Sequence, residues 1–202
     1  MNSNNYDLEK NKILKLFKDK KFNKLIKLGK KLLKKKSQDS DLLYILGLSS
    51  INLQNYTEAE NFFKKLLTFK KNDEIFYIYG NINSKLKNYE IAINSFNQAI
   101  SLNPKFSEAY NNLGNLEKMN NKIEDAVKNY KKAIELKPDY AVAHNNLGNI
   151  LYDEGDLVAA INCYKQALNI KHDYAQAWLN VLFPLQAMKF ENLSTDLLLS
   201  NM

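Results

Sequence analysis

The sequence predicts an all-α chain built as a solenoid of tandem helix-turn-helix units, on three observations. Residues of one type recur every 34 positions: Gly80, Gly114 and Gly148; Ala92, Ala126 and Ala160; Phe96, Tyr130 and Tyr164; Ala99, Ala133 and Ala167. Between these columns, apolar residues follow the 3.6-residue period of amphipathic helices. Glycine and proline number only six and three in 202 residues, few for the many turns of an all-β protein. A hydrophobic content of 45% suffices for a core and is too high for a disordered chain.

The elements follow in order along the chain. Residues 1–39 read as a degenerate, lysine-rich helix pair, in which Phe22, Leu25, Gly29 and Leu32 stand 34 positions before Tyr56, Ala59, Phe63 and Leu66. Residues 40–72 form the first full copy, with Leu43, Leu46, Gly47, Ala59, Phe63 and Leu66; Gly47 lies 33 residues before Gly80, so one residue is missing near Lys70–Asp73. Residues 73–106 carry Phe76, Tyr79, Gly80, Ala92, Phe96, Ala99 and Pro104. Residues 107–140 carry Tyr110, Leu113, Gly114, Ala126, Tyr130, Ala133 and Pro138, and their spacing places helices over about Ser107–Asn120 and Ile123–Leu136. Residues 141–174 carry His144, Leu147, Gly148, Ala160, Tyr164 and Ala167, with His172 in place of the proline. Residues 175–202 are a partial repeat or capping helices: Trp178 and Val181 keep the register and Leu182 replaces the glycine. Pro184 is expected to break the helix there, and Leu197, Leu198 and Leu199 make an apolar tail. Asp139 and Asp173 are expected to cap the helices that follow them.

These columns resemble the tetratricopeptide repeat, which has a large residue at repeat position 4, Leu-Gly at 7 and 8, Ala at 20, an aromatic at 24, Ala at 27 and often Pro at 32. The resemblance implies a right-handed α-solenoid of tandem repeats with a concave groove lined by the first helix of each pair. It implies a protein-interaction scaffold that binds a peptide or protein segment, not an enzyme.

The groove candidates are Tyr77, Asn81, Asn111, Asn112, Asn115, Asn145, Asn146, Asn149 and Asn180. Asn112, Asn146 and Asn180 share one repeat position, and Asn81, Asn115 and Asn149 share another. An amide has donors and an acceptor, so it can pair with a peptide backbone irrespective of side chain. The series resembles the asparagine ladder in the superhelix of O-linked N-acetylglucosamine transferases. Asparagine is also common throughout this chain, and Asn-Asn-Leu-Gly is frequent in the repeat consensus. The dicarboxylate clamp of chaperone-binding repeats is missing: its lysine position holds Tyr77, Asn111 and Asn145, and Glu74 and Glu108 lie nearby.

Residues 1–38 hold 13 lysines and three acids, Asp7, Glu9 and Asp19, and so carry +10 of a net charge of +7. The remainder is slightly acidic, and the chain has no arginine. The lysines read as a solvated surface or as an attachment for nucleic acid or an anionic membrane. No cofactor or metal is expected. His144, His172 and the single cysteine, Cys163, fall at packing or junction positions, and no phosphate-binding loop or zinc-protease motif is present. One cysteine excludes an internal disulfide, and no apolar run is long enough for a transmembrane helix, so a cytoplasmic setting is expected. Similar arrays precede glycosyltransferase or sulfotransferase domains, so an alternative is a substrate-presenting arm of a larger transferase.

Overall fold

The computed structural model describes residues 3–190 as eleven helices, with no strand among them. The Leu197–Leu199 tail lies outside the described residues. The chain divides into two compact units, Met1–Pro104 and Lys105–Met202.

The first unit contains α1 (Ser3–Lys18), α2 (Phe22–Leu33), α3 (Ser40–Asn52), α4 (Tyr56–Leu67), α5 (Asp73–Lys85) and α6 (Tyr89–Leu102). Helices of this length are marginal alone and persist by burying one face. The buried faces of α1 to α5 form one continuous cluster that runs from Ile13 through Leu25, Leu43 and Phe63 to Ile82. Gly29 takes the register of an aromatic, and Leu46 of α3 fills the space, with its Cδ2 only 2.6 Å from where a β-carbon would stand. Asp39 ties the first helix pair to the next. Its buried carboxylate accepts from the Leu42 N–H at 2.9 Å, the Tyr6 hydroxyl at 2.8 Å and Lys10 Nζ at 3.0 Å. Burial alone would raise its pKa, but these three donors outweigh it and hold the carboxyl below its ordinary range.

The second unit contains α7 (Ser107–Met119), α8 (Ile123–Leu136), α9 (Ala141–Asp153), α10 (Leu157–Ile170) and α11 (Ala175–Phe190). Each repeat seats the aromatic of its second helix on the glycine of its first. A β-carbon on Gly114 would lie 2.9 Å from Tyr130 Cε1, and one on Gly148 would lie 2.7 Å from Tyr164 Cε1. The glycine therefore admits a ring edge, and the tyrosine also packs onto the next repeat, where Tyr130 joins Leu147 and Ile150. The turn inside each repeat needs one left-handed residue at a constant register: Lys20, Gln54, Lys87, Asn121 and Gly155 all have positive φ. Gly155 is the copy that adopts it without a steric cost.

Two expectations are corrected. Pro184 does not break the last helix; α11 runs through it to Phe190. Val181 and Leu185, on either side of the proline, pack on the Ala160, Ile161 and Tyr164 face of α10 and hold the helix there. Asp139 does not cap α9, whose N-cap is Tyr140 with no side-chain cap bond. Side-chain caps occur instead at Asp39, Asn55, Asn72 and Asp156.

Candidate functional site: an asparagine array on the first helices

The nine candidate residues fall on first helices: Tyr77 and Asn81 on α5, Asn111, Asn112 and Asn115 on α7, Asn145, Asn146 and Asn149 on α9, and Asn180 on α11. In the first unit, Tyr77 is a packing residue, its ring 6.0 Å from that of Phe96, and Asn81 is half-buried on the same helix.

In the second unit the asparagines converge in two copies of one motif. Asn146 Nδ2 donates to Asn111 Oδ1 at 3.0 Å and to Asn115 Oδ1 at 3.1 Å. One repeat on, Asn180 Nδ2 donates to Asn145 Oδ1 at 3.0 Å and to Asn149 Oδ1 at 2.8 Å. The tyrosines complete the motif: Tyr130 donates its hydroxyl to Asn115 Oδ1 at 2.8 Å, and Tyr164 donates to Asn149 Oδ1 at 2.9 Å. Each motif thus joins three positions on two successive first helices to the second helix between them. Asn111 Nδ2 also donates to Asn112 Oδ1 at 3.1 Å.

This geometry sorts the candidates. Asn111 and Asn145 are not on an open surface, as the groove reading expected; each is 2% exposed and serves as an acceptor for the next repeat. The reason is physical: the first helix of the next repeat brings Asn146 or Asn180 against that position, and a buried amide must find its partners within the protein. Asn146 and Asn180 spend both amide hydrogens on neighbouring oxygens. Asn115 and Asn149 are the converse. Their oxygens each accept two bonds, while their Nδ2 groups have no partner among the described residues. Among the described residues no buried side-chain nitrogen or oxygen is left unpaired, so these two Nδ2 groups, on half-buried residues, keep some contact with solvent.

Asn115, Asn146 and Asn149 line an open depression of about 420 Å³ together with Lys118, Met119 and Tyr130. Asn149, Lys118 and Asn180 line a second of about 300 Å³ with Tyr152, Asp153 and Phe183. The shared residues make the two adjoin. Their only charged lining groups, Lys118 and Asp153, pair at 2.8 Å. A larger depression of about 640 Å³ lies along α8, but its lining is mainly charged side chains of that one helix, including Glu124, Lys128, Lys132 and Glu135. It lacks the convergent amides, so the asparagine face is the better-built site.

Sequence reasoning missed the hydroxyls of Tyr130 and Tyr164, which it read as packing alone. The signal for them was only partial: both tyrosine repeats carry asparagine after the glycine, Asn115 and Asn149, but the Phe96 repeat carries Asn81 there too, and only the Phe63 repeat differs, with Leu48. The other reactive side chains are accounted for structurally. Burial raises the Cys163 pKa and keeps its thiol protonated. His144 Nε2 lies 3.0 Å from the Pro138 carbonyl, and the His172 ring meets Trp178 edge-on at 5.8 Å. Among the described residues no three His, Cys, Asp or Glu side chains are grouped to hold a metal, and no helix is long and apolar enough to cross a membrane.

The repeated helix pairs, the glycine–aromatic seats and the inter-repeat amide bonds define a helical-repeat solenoid. The chain belongs to the tetratricopeptide-repeat family: the family profile described as "TPR repeat" matches residues 80–120, 115–153 and 148–181, and that described as "Tetratricopeptide repeat" matches 40–73. Among solved structures, one of MamA is 26% identical over 80% of this chain and 95% of its own, with a TM-score of 0.74. MamA from Desulfovibrio magneticus is 20% identical over 84% of this chain and 97% of its own, with a TM-score of 0.77. YrrB, described as a repeat protein of this family with an unusual peptide-binding site, is 22% identical over 84% of this chain and 88% of its own, with a TM-score of 0.72. Comparison with curated proteins finds no match.

Proposed function

We propose that the chain is a protein-interaction scaffold whose asparagine face, on α7, α9 and α11, holds an extended segment of another protein. One observation carries this reading: Asn115 and Asn149 occupy equivalent positions in successive repeats, with their oxygens saturated and their Nδ2 donors in contact with solvent in adjoining depressions. The inter-repeat bonds lock both amides in one orientation, so they are preorganised to donate to backbone carbonyls of a strand lying across them. Met119, Tyr152 and Phe183 are exposed at the same face and offer apolar contacts to its side chains. YrrB, with the same fold, is described as carrying a peptide-binding site, which fits an interaction role.

The site has no unpaired lining charge, so binding rests on hydrogen bonds and burial. An affinity near 1 μM, about −8 kcal/mol, is expected, with little dependence on salt. The test is selection of binders from a random peptide library on the immobilised full chain, followed by titration against the double variant N115D/N149D. Aspartate keeps the oxygen that accepts from tyrosine and asparagine and replaces only the donor. Loss of binding by at least tenfold, with the far-ultraviolet circular dichroism unchanged, supports the reading. Unchanged affinity overturns it.

A further inference from the structure

The second helix carries a surface unlike the rest of the chain. Its inner face, Leu25, Ile26, Gly29 and Leu32, is buried in the first unit's core. Lys24, Lys27, Lys31 and Lys34 recur at intervals of three and four along α2 and its C-cap, which sets them on one stripe opposite that core, and Lys20 lies in the preceding turn. All five are exposed. At 1.5 Å per residue the helical stripe from Lys24 to Lys34 is about 15 Å long.

No acid neutralises it. The helix itself contains none, and the acids nearby are engaged elsewhere: Glu58 with Lys30, Glu9 with Lys35, Asp19 with Lys21, and Asp39 and Asp41 with Lys10. None of these five lysines forms an ion pair among the described residues. Four like charges on one helical stripe, with Lys20 in the turn before it, repel each other and are not needed for the fold, whose contacts lie on the opposite face.

We infer that this stripe docks the chain on an anionic lipid surface. Lysine is a compact charge suited to a diffuse layer of headgroups, and the chain has no arginine to grip phosphates bidentately or read base edges. No aromatic side chain is exposed on α1 or α2 to stack on bases. On α1, Leu8 is 68% exposed, the most exposed large apolar side chain among the described residues, and stands in register with exposed Lys12 and Lys15 at i+4 and i+7. A leucine beside lysines on one face suits the boundary between headgroups and acyl chains. The stripe shares no residue with the asparagine face.

The test is co-sedimentation of the full chain with phosphatidylcholine vesicles, with and without phosphatidylserine. Wild type should bind only the vesicles with phosphatidylserine, and release as ionic strength rises from about 0.05 M to about 0.5 M, as the screening length shrinks. Each surface lysine contributes about fivefold to such partitioning, so K24Q/K27Q/K31Q should weaken it about a hundredfold. K64Q/K65Q/K71Q, which removes the same charge from exposed positions elsewhere in the first unit, should change it less than about fivefold, the share of one lysine. Equal binding to both vesicle types, or equal losses in the two triple variants, overturns the inference. So does a single-stranded oligonucleotide that displaces the chain from the vesicles at equal phosphate concentration.

Discussion

Replacing Asn180 by alanine should undock α11 while leaving the repeats beneath it folded. The Asn180 amide makes both bonds that join α11 to the polar face of α9, at 3.0 Å to Asn145 and 2.8 Å to Asn149. Asn149 keeps its bond from the Tyr164 hydroxyl, so its loss is one hydrogen bond of about 1 kcal/mol. Asn145 is 2% exposed, and the cost of stripping the donor from its buried oxygen is about 1–2 kcal/mol. The total, about 2–3 kcal/mol, is a 30- to 150-fold loss in the docking equilibrium. The chain has a single tryptophan, Trp178, on α11, whose indole N–H donates to the His172 carbonyl at 2.8 Å. Urea titration followed by its fluorescence therefore reports this docking, while circular dichroism reports the helices as a whole. The fluorescence midpoint should fall well below the wild-type value with the dichroism midpoint little moved. A change worth under about 0.5 kcal/mol, the range of an unremarkable surface substitution, would refute the role given to the amide.

Other outcomes follow from the same structure. Asp39→Asn should cost about 2 kcal/mol at pH 7, because it removes a buried charged acceptor from Lys10 and Tyr6. The carboxyl is held below its ordinary pKa when folded, so its contribution is complete above about pH 4 and is lost as pH falls through the folded value; urea midpoints of D39N should show a flatter acid limb than wild type. Gly155→Ala should destabilise by about 1 kcal/mol, since φ is 86° there and no atom lies within 4 Å of the added β-carbon, which leaves backbone strain alone. A neutral or stabilised G155A in calorimetry would contradict that reading.

The fold was legible because its packing repeats in one dimension. Gly114 with Tyr130 and Gly148 with Tyr164 are single contacts written twice, and a spacing of 34 exposes them without any knowledge of the third dimension. Pro184 was misjudged because a local rule, the missing N–H, competed with burial of Val181 and Leu185 that only the neighbouring helix provides. The site was legible in part. The asparagine columns stood out, but the direction of each amide depends on which helix covers it. Asn111 and Asn115 differ by four positions on one helix, yet one turns into the interior and the other reaches an open depression. The tyrosine hydroxyls escaped because an aromatic at a packing position explains itself by volume, and its polar tip is decided by a partner on another helix.

The most direct test of the asparagine face uses the side-chain amide signals of the protein in solution. With ¹⁵N-labelled chain and a peptide selected as above, the NH₂ resonances of Asn115 and Asn149 should shift and saturate together. Those of Asn111, Asn145, Asn146 and Asn180, whose bonds hold the repeats, should move far less. Saturating shifts confined to the α8 depression or to the lysines of α2, with Asn115 and Asn149 unmoved, would contradict the assignment of this face as the binding surface.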